Sequence, residues 1–472
     1  MSNDQPHKPM NDFTSPVSKS FDRELKRVTN SIGGVPLSRR EALRRSVYGS
    51  AGLLLMEPMM INAQQATPAA TSPARSVIQV WLWGGSCHID TFDPKPDAGR
   101  DYCGALDKPI STNVDGIRIS QLFPELAKMA DKYSLIRSMT HGNNGHETAA
   151  YLVQTGRASE RDVFPGVGAV VSYFKGYDAG YEGLIPPYVV LTQPQGRFSE
   201  AGFLGPAYKP FATGGNPNSP VFEVEGIVAP GLTEERQRLR RKLLGSMNTL
   251  GGALPGNATL KTVAESEQQA YELILGDAGK LFDLGQEADT MRDRYGRNTF
   301  GQSCLMARRL VEKNVPYITI NYGGWDTHKQ HFQIMNRKLP ELDQGLSALL
   351  SDLSDRGLLD STVVWCAGEF GRTPKVATES PWNGGRHHYG KVFSCLLAGG
   401  GFQGGQVVGA SDAKGEEVAE RPVYPADLIG SIYGQLGIPA EASLPHPQGT
   451  PTHVVPDKSE GVPTAGLLTE LV

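Results

Sequence analysis

The chain has 472 residues, with 55 glycines, 33 prolines and 39% hydrophobic content. This Gly/Pro excess over ordinary usage comes with a normal apolar fraction, which excludes collagen, coiled coil and wholesale disorder and points to a loop-rich folded protein with a sizeable core. Of 46 Lys/Arg and 50 Asp/Glu, residues 1–76 hold 10 and 6, leaving 36 and 44 beyond them, and an acidic body without a basic stripe argues against nucleic-acid binding.

The leader comes first. Ser38-Arg39-Arg40-Glu41-Ala42-Leu43-Arg44, the apolar stretch Val47 to Met56 and the small, polar stretch Asn62 to Ser76 resemble a twin-arginine export signal, although Ala42 stands where such signals usually carry Phe. The resemblance implies the twin-arginine translocase as a partner during export and a periplasmic or cell-envelope location. No apolar run reaches the roughly 18 residues a bilayer-spanning helix needs, so no transmembrane span is expected in the mature body. The five scattered cysteines, Cys87, Cys103, Cys304, Cys366 and Cys395, do not suggest a disulfide framework.

Beyond the leader, Val77 to Trp83 is an apolar run broken by Gly84-Gly85, the pattern of a buried strand ending in a tight turn. Similar runs are Ser134 to Met139, Pro187 to Leu191, Tyr317 to Asn321, Thr362 to Ala367 and Val392 to Ala398. Helical periodicity lies between them at Leu122 to Lys132, Glu147 to Gln154, Phe300 to Lys313, Gln333 to Arg356 and Ala426 to Leu436. This alternation predicts an α/β fold, a mostly parallel sheet with helices on both faces, over residues 77–445. Residues 207–300 break the rhythm and predict a helical insertion, with helices at Thr233 to Met247 and Thr262 to Leu284. The Pro-, Thr- and Gly-rich tail 446–472 is expected to wrap the surface.

In open α/β sheets ligands bind beyond the carboxyl ends of strands. Polar clusters fall there: Gly84 to Asp93 after the first strand, Thr140 to Thr148 after the second, Tyr322 to His331, Gly368 to Thr373, and Gly384 to Tyr389 just before the last strand. Seven of the ten histidines lie in these segments. Imidazoles and carboxylates together are the usual ligands of zinc, iron or manganese, and Asp326 with His328 can converge from one tight loop. Separately satisfied turn residues would give the same local patterns. Arg372 and Arg386 are expected on the rim, where a guanidinium can grip phosphate or sulfate bidentately. Cys87 has no neighbour in sequence that marks it as a nucleophile.

Leu82-Trp83-Gly84-Gly85, Asp90-Thr91-Phe92-Asp93-Pro94-Lys95-Pro96, Ile136 to His141, Gly202 to Pro206, Gly324-Trp325-Asp326-Thr327-His328 and Gly368 to Lys375 together resemble the exported bacterial family called domain of unknown function 1501. That family is similar to the alkaline phosphatase and sulfatase superfamily, which implies an alkaline-phosphatase-like sheet and metal-assisted ester hydrolysis. The resemblance implies metal ligands at Asp90, His141, His146, Asp326, His328, Glu369 and His388, with zinc, manganese or iron, or else calcium or magnesium, as the divalent cation. Thr155-Gly156 places His146 in the slot of the superfamily nucleophile, so His146 is a nucleophile, a ligand, or the helix start with Thr148 as the nucleophile. Arg372 would stabilise developing negative charge. A Cys-x-Pro-x-Arg sequence is absent, which disfavours a formylglycine sulfatase.

The reading is an exported metal-dependent hydrolase of phosphate or sulfate esters, acting on a small anionic ester or a sulfated or phosphorylated polysaccharide. The alternative is a non-catalytic protein on a degenerated hydrolase scaffold, binding anionic polysaccharide or serving as an envelope component.

Overall fold

The structure is a computed structural model, and it describes residues 74–158, 162–193, 200–224, 235–236, 239, 278–456 and 460–472. The expected leader up to residue 73 lies outside the described residues, as do almost all of the helix expected at 233–247 and most of that at 262–284.

All six long apolar runs form strands. With two short edge strands they make one sheet: β1 Ser76–Trp81, β2 Tyr133–Met139, β3 Tyr188–Leu191, β4 Phe211–Ala212, β5 Tyr317–Asn321, β6 Thr362–Ala367, β7 Phe393–Ala398 and β8 Val407–Val408. Their spatial order is β8-β2-β7-β6-β1-β5-β3-β4. Central β1 runs parallel to β5 and β6, and β3 runs parallel to β5 and β4. One strand is reversed: β7 pairs antiparallel with both β2 and β6.

Both faces of the sheet are covered, which is why its strands read as unbroken apolar runs rather than alternating ones. On one face Ile78, Val80, Ile318, Ile320, Val364 and Leu396 pack against α3, Thr299–Val311, and α4, His331–Asp355. On the other, Val77, Trp81, Val363, Trp365 and Leu397 meet α1, His146–Thr155, α2, Val167–Lys175, and α5, Pro425–Gln435. The Trp81 and Trp365 rings meet edge to face at 6.4 Å between centroids. The α/β architecture with helices on both faces is therefore the one read from the sequence. The run at Leu122 to Lys132 departs from expectation: it divides into a helical turn Pro124–Ala127 and a 3-10 turn Ala130–Lys132. Asp343 on α4 accepts the Glu125 and Leu126 backbone N–H groups at 2.9 and 2.8 Å, satisfying donors at the start of that first turn.

The tail packs into the second face, where Val454, Leu468 and Leu471 are buried. Asp427, in the first turn of α5, fastens it. Its carboxylate accepts the Tyr424 backbone N–H at 3.0 Å and those of Ala465 and Gly466 at 3.0 Å each. Asp427→Ala leaves three donors without this acceptor, and at roughly 1.5–3 kcal/mol for a hydrogen bond to a charged group the loss should reach about 3 kcal/mol. The expected outcome is a lower urea midpoint together with faster proteolytic trimming of the tail.

The reversal of β7 matters for the site. Loops after β1, β2, β5 and β6 leave the carboxyl edge of the sheet, and the antiparallel β7 begins at that same edge. The segment Gly384 to Tyr389, which precedes β7, is thus delivered to the crevice that the other loops surround.

Candidate metal centre

Close backbone stacking builds the crevice. Gly84, at φ +111°, lies so near the β5 loop that a Cβ there would stand 2.2 Å from Asp326 N. Gly385 would place a Cβ 1.8 Å from His328 O. Only glycine permits these two approaches, and they bring the loops after β1 and β5 and the loop before β7 into contact. His388 is held in a short antiparallel ribbon opposite Arg372.

Asp326 is the hub. Its Oδ2 is 3.4 Å from His146 Nε2, and its Oδ1 is 3.0 Å from His328 Nε2 and 3.1 Å from His388 Nε2. Possible ligand atoms of His146, Asp326 and His388 all lie within 4.8 Å of one another, and His328 Nε2 is 2.9 Å from His388 Nε2. Burial would raise the Asp326 carboxyl, but the Arg372 guanidinium beside it wins and holds it at about 2, so it is ionised at neutral pH.

The imidazoles are oriented from behind. His146 Nδ1 lies 2.6 Å from Glu369 Oε1, and that buried carboxylate also accepts the Gly84 N–H at 2.9 and 3.1 Å. His388 Nδ1 lies 2.8 Å from Asn144 O, a carbonyl that can only accept. With Nδ1–H donated in both rings, the Nε2 lone pairs face the Asp326 side, the tautomer that metal-ligating histidines adopt. Burial, aided by the Arg372 charge, keeps the His388 pKa below its ordinary value, while the hydrogen bond to Glu369 raises that of His146.

Other expected ligands lie elsewhere. His141 Nε2 is 2.7 Å from Glu369 O and its Nδ1 accepts the Asn143 N–H at 3.0 Å, so both ring nitrogens are taken. Burial lowers its pKa to about 4, leaving it neutral. Glu369 stands behind His146, on its Nδ1, while Asp326 faces Nε2. Asp90 is fully buried in a separate network, with Oδ2 2.7 Å from His331 Nε2 and Oδ1 3.0 Å from Arg386 Nη2. The Thr148 hydroxyl is occupied by Asn143 Oδ1 at 2.9 Å and Gly145 O at 3.2 Å. Cys87 is buried, and burial pushes its thiol up to about 12. The described cysteines are all free.

The rim placement of the two arginines is corrected: Arg372 and Arg386 are both 0% exposed. Arg372 bonds to Asp326, to Gly84 O, and at 3.3 Å to both Gly85 O and Arg386 O. Three carbonyls draw a guanidinium inward, where it fixes the charge on Asp326 instead of presenting an open fork to solvent. His331 was missed as a contributor because its imidazole works one layer below the crevice, bonding Thr327 Oγ1 at 2.6 Å as well as Asp90. Its place at the end of the polar segment Tyr322 to His331 was its sequence signal.

Glu369→Gln tests the orientation. Removing such a carboxylate partner typically costs 10–100-fold in metal affinity. A loss of that size is expected in calorimetric zinc or manganese titrations, with little change in the far-UV spectrum.

Solved structures similar to this chain include the lipoteichoic acid synthase LtaP from Listeria monocytogenes, at 9% identity and TM-score 0.36 over 77% of this chain and 72% of that one. The PsFucS1 sulfatase from Pseudoalteromonas sp. gives 14% identity and TM-score 0.34 over 78% of this chain and 68% of the other. The alkaline phosphatase from the Antarctic bacterium TAB5 gives 10% and 0.33, over 77% of this chain and 99% of its own. No curated protein matches the sequence. The family described as "Protein of unknown function (DUF1501)" matches residues 74–463, and the chain belongs to that family.

Proposed function

We propose that this chain is an exported, divalent-metal-dependent hydrolase of phosphate or sulfate esters. The observation that carries the reading is the convergence of His146, Asp326 and His388 ligand atoms within 4.8 Å beside a buried arginine. Export rests on the twin-arginine pattern around Arg39-Arg40.

The donor set decides the class of cation. Two imidazole nitrogens and one carboxylate, with His328 Nε2 alongside, suit zinc, manganese or iron, whereas calcium and magnesium prefer all-oxygen surroundings. Such a cation would supply Lewis acidity, polarising an ester oxygen and lowering the pKa of water. Glu369 and Asn144 O hold the two rings so that their Nε2 atoms face one point. Arg372 keeps Asp326 ionised and adds positive potential behind it, which favours an anionic ester and the charge that builds up during its cleavage. His146 Nε2 cannot be ligand and nucleophile at once, and its alignment with Asp326 and His388 favours ligand. With the Thr148 hydroxyl occupied, attack falls to water.

The test is elemental analysis of full-length protein purified from an export-competent host, together with turnover of 4-nitrophenyl phosphate and sulfate. Bound metal near one equivalent with ester turnover supports the reading. Bound metal without turnover favours the binding-protein alternative, which the burial of Arg372 and the engagement of the Thr148 hydroxyl by Asn143 and Gly145 both suit.

Proton and cation compete for His146 Nε2. Because the His146 pKa is raised above 6.5 while those of His388 and His328 are lowered, acidification reaches His146 first. Metal affinity should therefore fall about tenfold per pH unit below the His146 pKa, one proton being taken up for each cation released. The same raised pKa gives the metal-free protein stability that is fully present below 6.5 and fades as pH rises through the folded value. Loaded and metal-free samples should thus show opposite slopes of thermal midpoint against pH over that window.

A further inference from the structure

Three possible acceptor atoms crowd one corner of the metal centre. Asp326 Oδ1, His328 Nε2 and His388 Nε2 stand at 2.9, 3.0 and 3.1 Å from one another. Asp326 is ionised, with Arg372 donating to the same oxygen, and the His388 proton sits on Nδ1, where Asn144 O accepts it. Two of the three atoms therefore bring only lone pairs to the corner. Lone pairs this close need something positive between them, which is either a proton on His328 Nε2 or a cation in that proton's place. His328 can join the centre as a ligand only by clearing its Nε2.

An imidazole that clears Nε2 and keeps its proton must hold it on Nδ1, and that N–H then needs an acceptor. For His146 and His388 the acceptors are Glu369 Oε1 and Asn144 O. For His328 it is His387, whose Nδ1 stands 3.1 Å from His328 Nδ1. The half-buried His387 is fixed in that place. Its backbone N–H donates to Thr373 Oγ1 at 3.1 Å, and its carbonyl accepts the Thr373 N–H at 2.9 Å. The Trp382 ring meets its imidazole nearly at right angles, with centroids 4.7 Å apart. A carbonyl can only accept, whereas an imidazole nitrogen donates or accepts according to its tautomer, so this one contact serves His328 both with and without the cation.

We propose that His387, facing the far nitrogen of His328, is the positioning residue that makes His328 a ligand of the centre. As the cation enters, the His328 proton moves from Nε2 to Nδ1 and the His387 proton from Nδ1 to Nε2, so each ring keeps one proton and none is released. Three imidazole nitrogens and one carboxylate then hold the cation. This role rests on the metal centre of the reading above and not on its ester chemistry.

The experiment is calorimetric titration of full-length, metal-stripped protein with zinc and with manganese, comparing the parent, His387→Leu, His387→Asn, His328→Ala and the joint replacement of His328→Ala with His387→Leu. Leu puts a methyl group where Nδ1 lies and accepts nothing, whereas the Asn side-chain carbonyl reaches the same place and accepts. Removing the partner of a ligating histidine costs about 10–100-fold, so His387→Leu should bind at least about tenfold more weakly, and His387→Asn within about threefold of the parent. Residues that act through one interaction are not additive, so His387→Leu should cost less than about threefold once His328 is Ala. Unchanged affinity in His387→Leu, an equally weak His387→Asn, or the same loss in the His328→Ala background overturns the proposal. Should His387→Leu not fold, long-range nitrogen–proton NMR of the zinc-loaded parent makes the check: a His328 proton on Nδ1 supports the proposal, and one on Nε2 overturns it. A parent that binds neither metal overturns this role and the hydrolase reading together. Metal binding that follows the expected pattern without ester turnover leaves His387 in its role while the hydrolase reading fails, and turnover in a parent whose affinity ignores His387→Leu does the reverse.

Discussion

Asp326→Ala is expected to release the cation and abolish ester turnover while leaving the fold in place. Among the described residues, Asp326 supplies the one carboxylate that touches His146, His328 and His388 together. Without it three imidazoles face one another with no carboxylate ligand among them. Removing an orienting partner already costs up to 100-fold, so losing a ligand should lower zinc or manganese affinity by more than about 100-fold. The fold should tolerate the change because the Asp326 side chain is 44% exposed, so water can take its place, and the Glu369 carboxylate still opposes the Arg372 charge. Titration calorimetry, elemental analysis and a thermal melt of the metal-free variant make the check. A variant that retains stoichiometric metal would remove Asp326 from the centre, and a melt lowered by more than a few degrees would make it structural instead.

The strands were legible because a sheet covered on both faces needs continuous apolar runs, and Val77 to Trp83 or Thr362 to Ala367 can hardly be read otherwise. The two-residue edge strands at Phe211 and Val407 carry no such pattern. Helix α2 was missed because Gly166 and Gly168 bracket its start and only one polar side chain, Ser172, interrupts its apolar residues before Lys175, so no helical periodicity shows. At the site, the strand-end rule pointed to loops that converge, and Asp326, His328, His146 and His388 do meet. It could not distinguish residues that face the crevice from those one layer beneath. His331 lies in the same segment as Asp326 and His328, while Asp90 and Glu369 lie in the loops after β1 and β6, and only the direction in which each loop turns decides whether a side chain points at the crevice or into the core. The inward pull of carbonyls on Arg372 likewise leaves no trace in sequence.

That lower layer yields the second large effect. Arg386→Met and Asp90→Ala should each destabilise the protein by about 3–5 kcal/mol, the range for a buried ion pair left with one unpaired member. Both side chains are 0% exposed. Arg386 Nε stands 2.8 Å from Asp90 Oδ2, and the same guanidinium donates to Thr373 O at 2.8 Å and to Tyr102 O at 2.5 Å. One side chain thus ties the β1 loop to the segments on either side of the ribbon that carries His388. Burial would raise the Asp90 pKa, but the Arg386 charge outweighs it and depresses the value from 3.8 to about 2. A depressed folded pKa contributes stability that is present above about 4 and lost as pH falls toward 2, so acid unfolding of the parent should steepen in that window. Asp90→Ala should remove that step, and the joint replacement Asp90→Leu with Arg386→Met should cost less than either single change, because it leaves no charge stranded. Thermal melts of metal-free protein read these effects directly, separating this anchoring layer from Asp326, whose loss should register in metal binding and leave the metal-free melt almost unmoved.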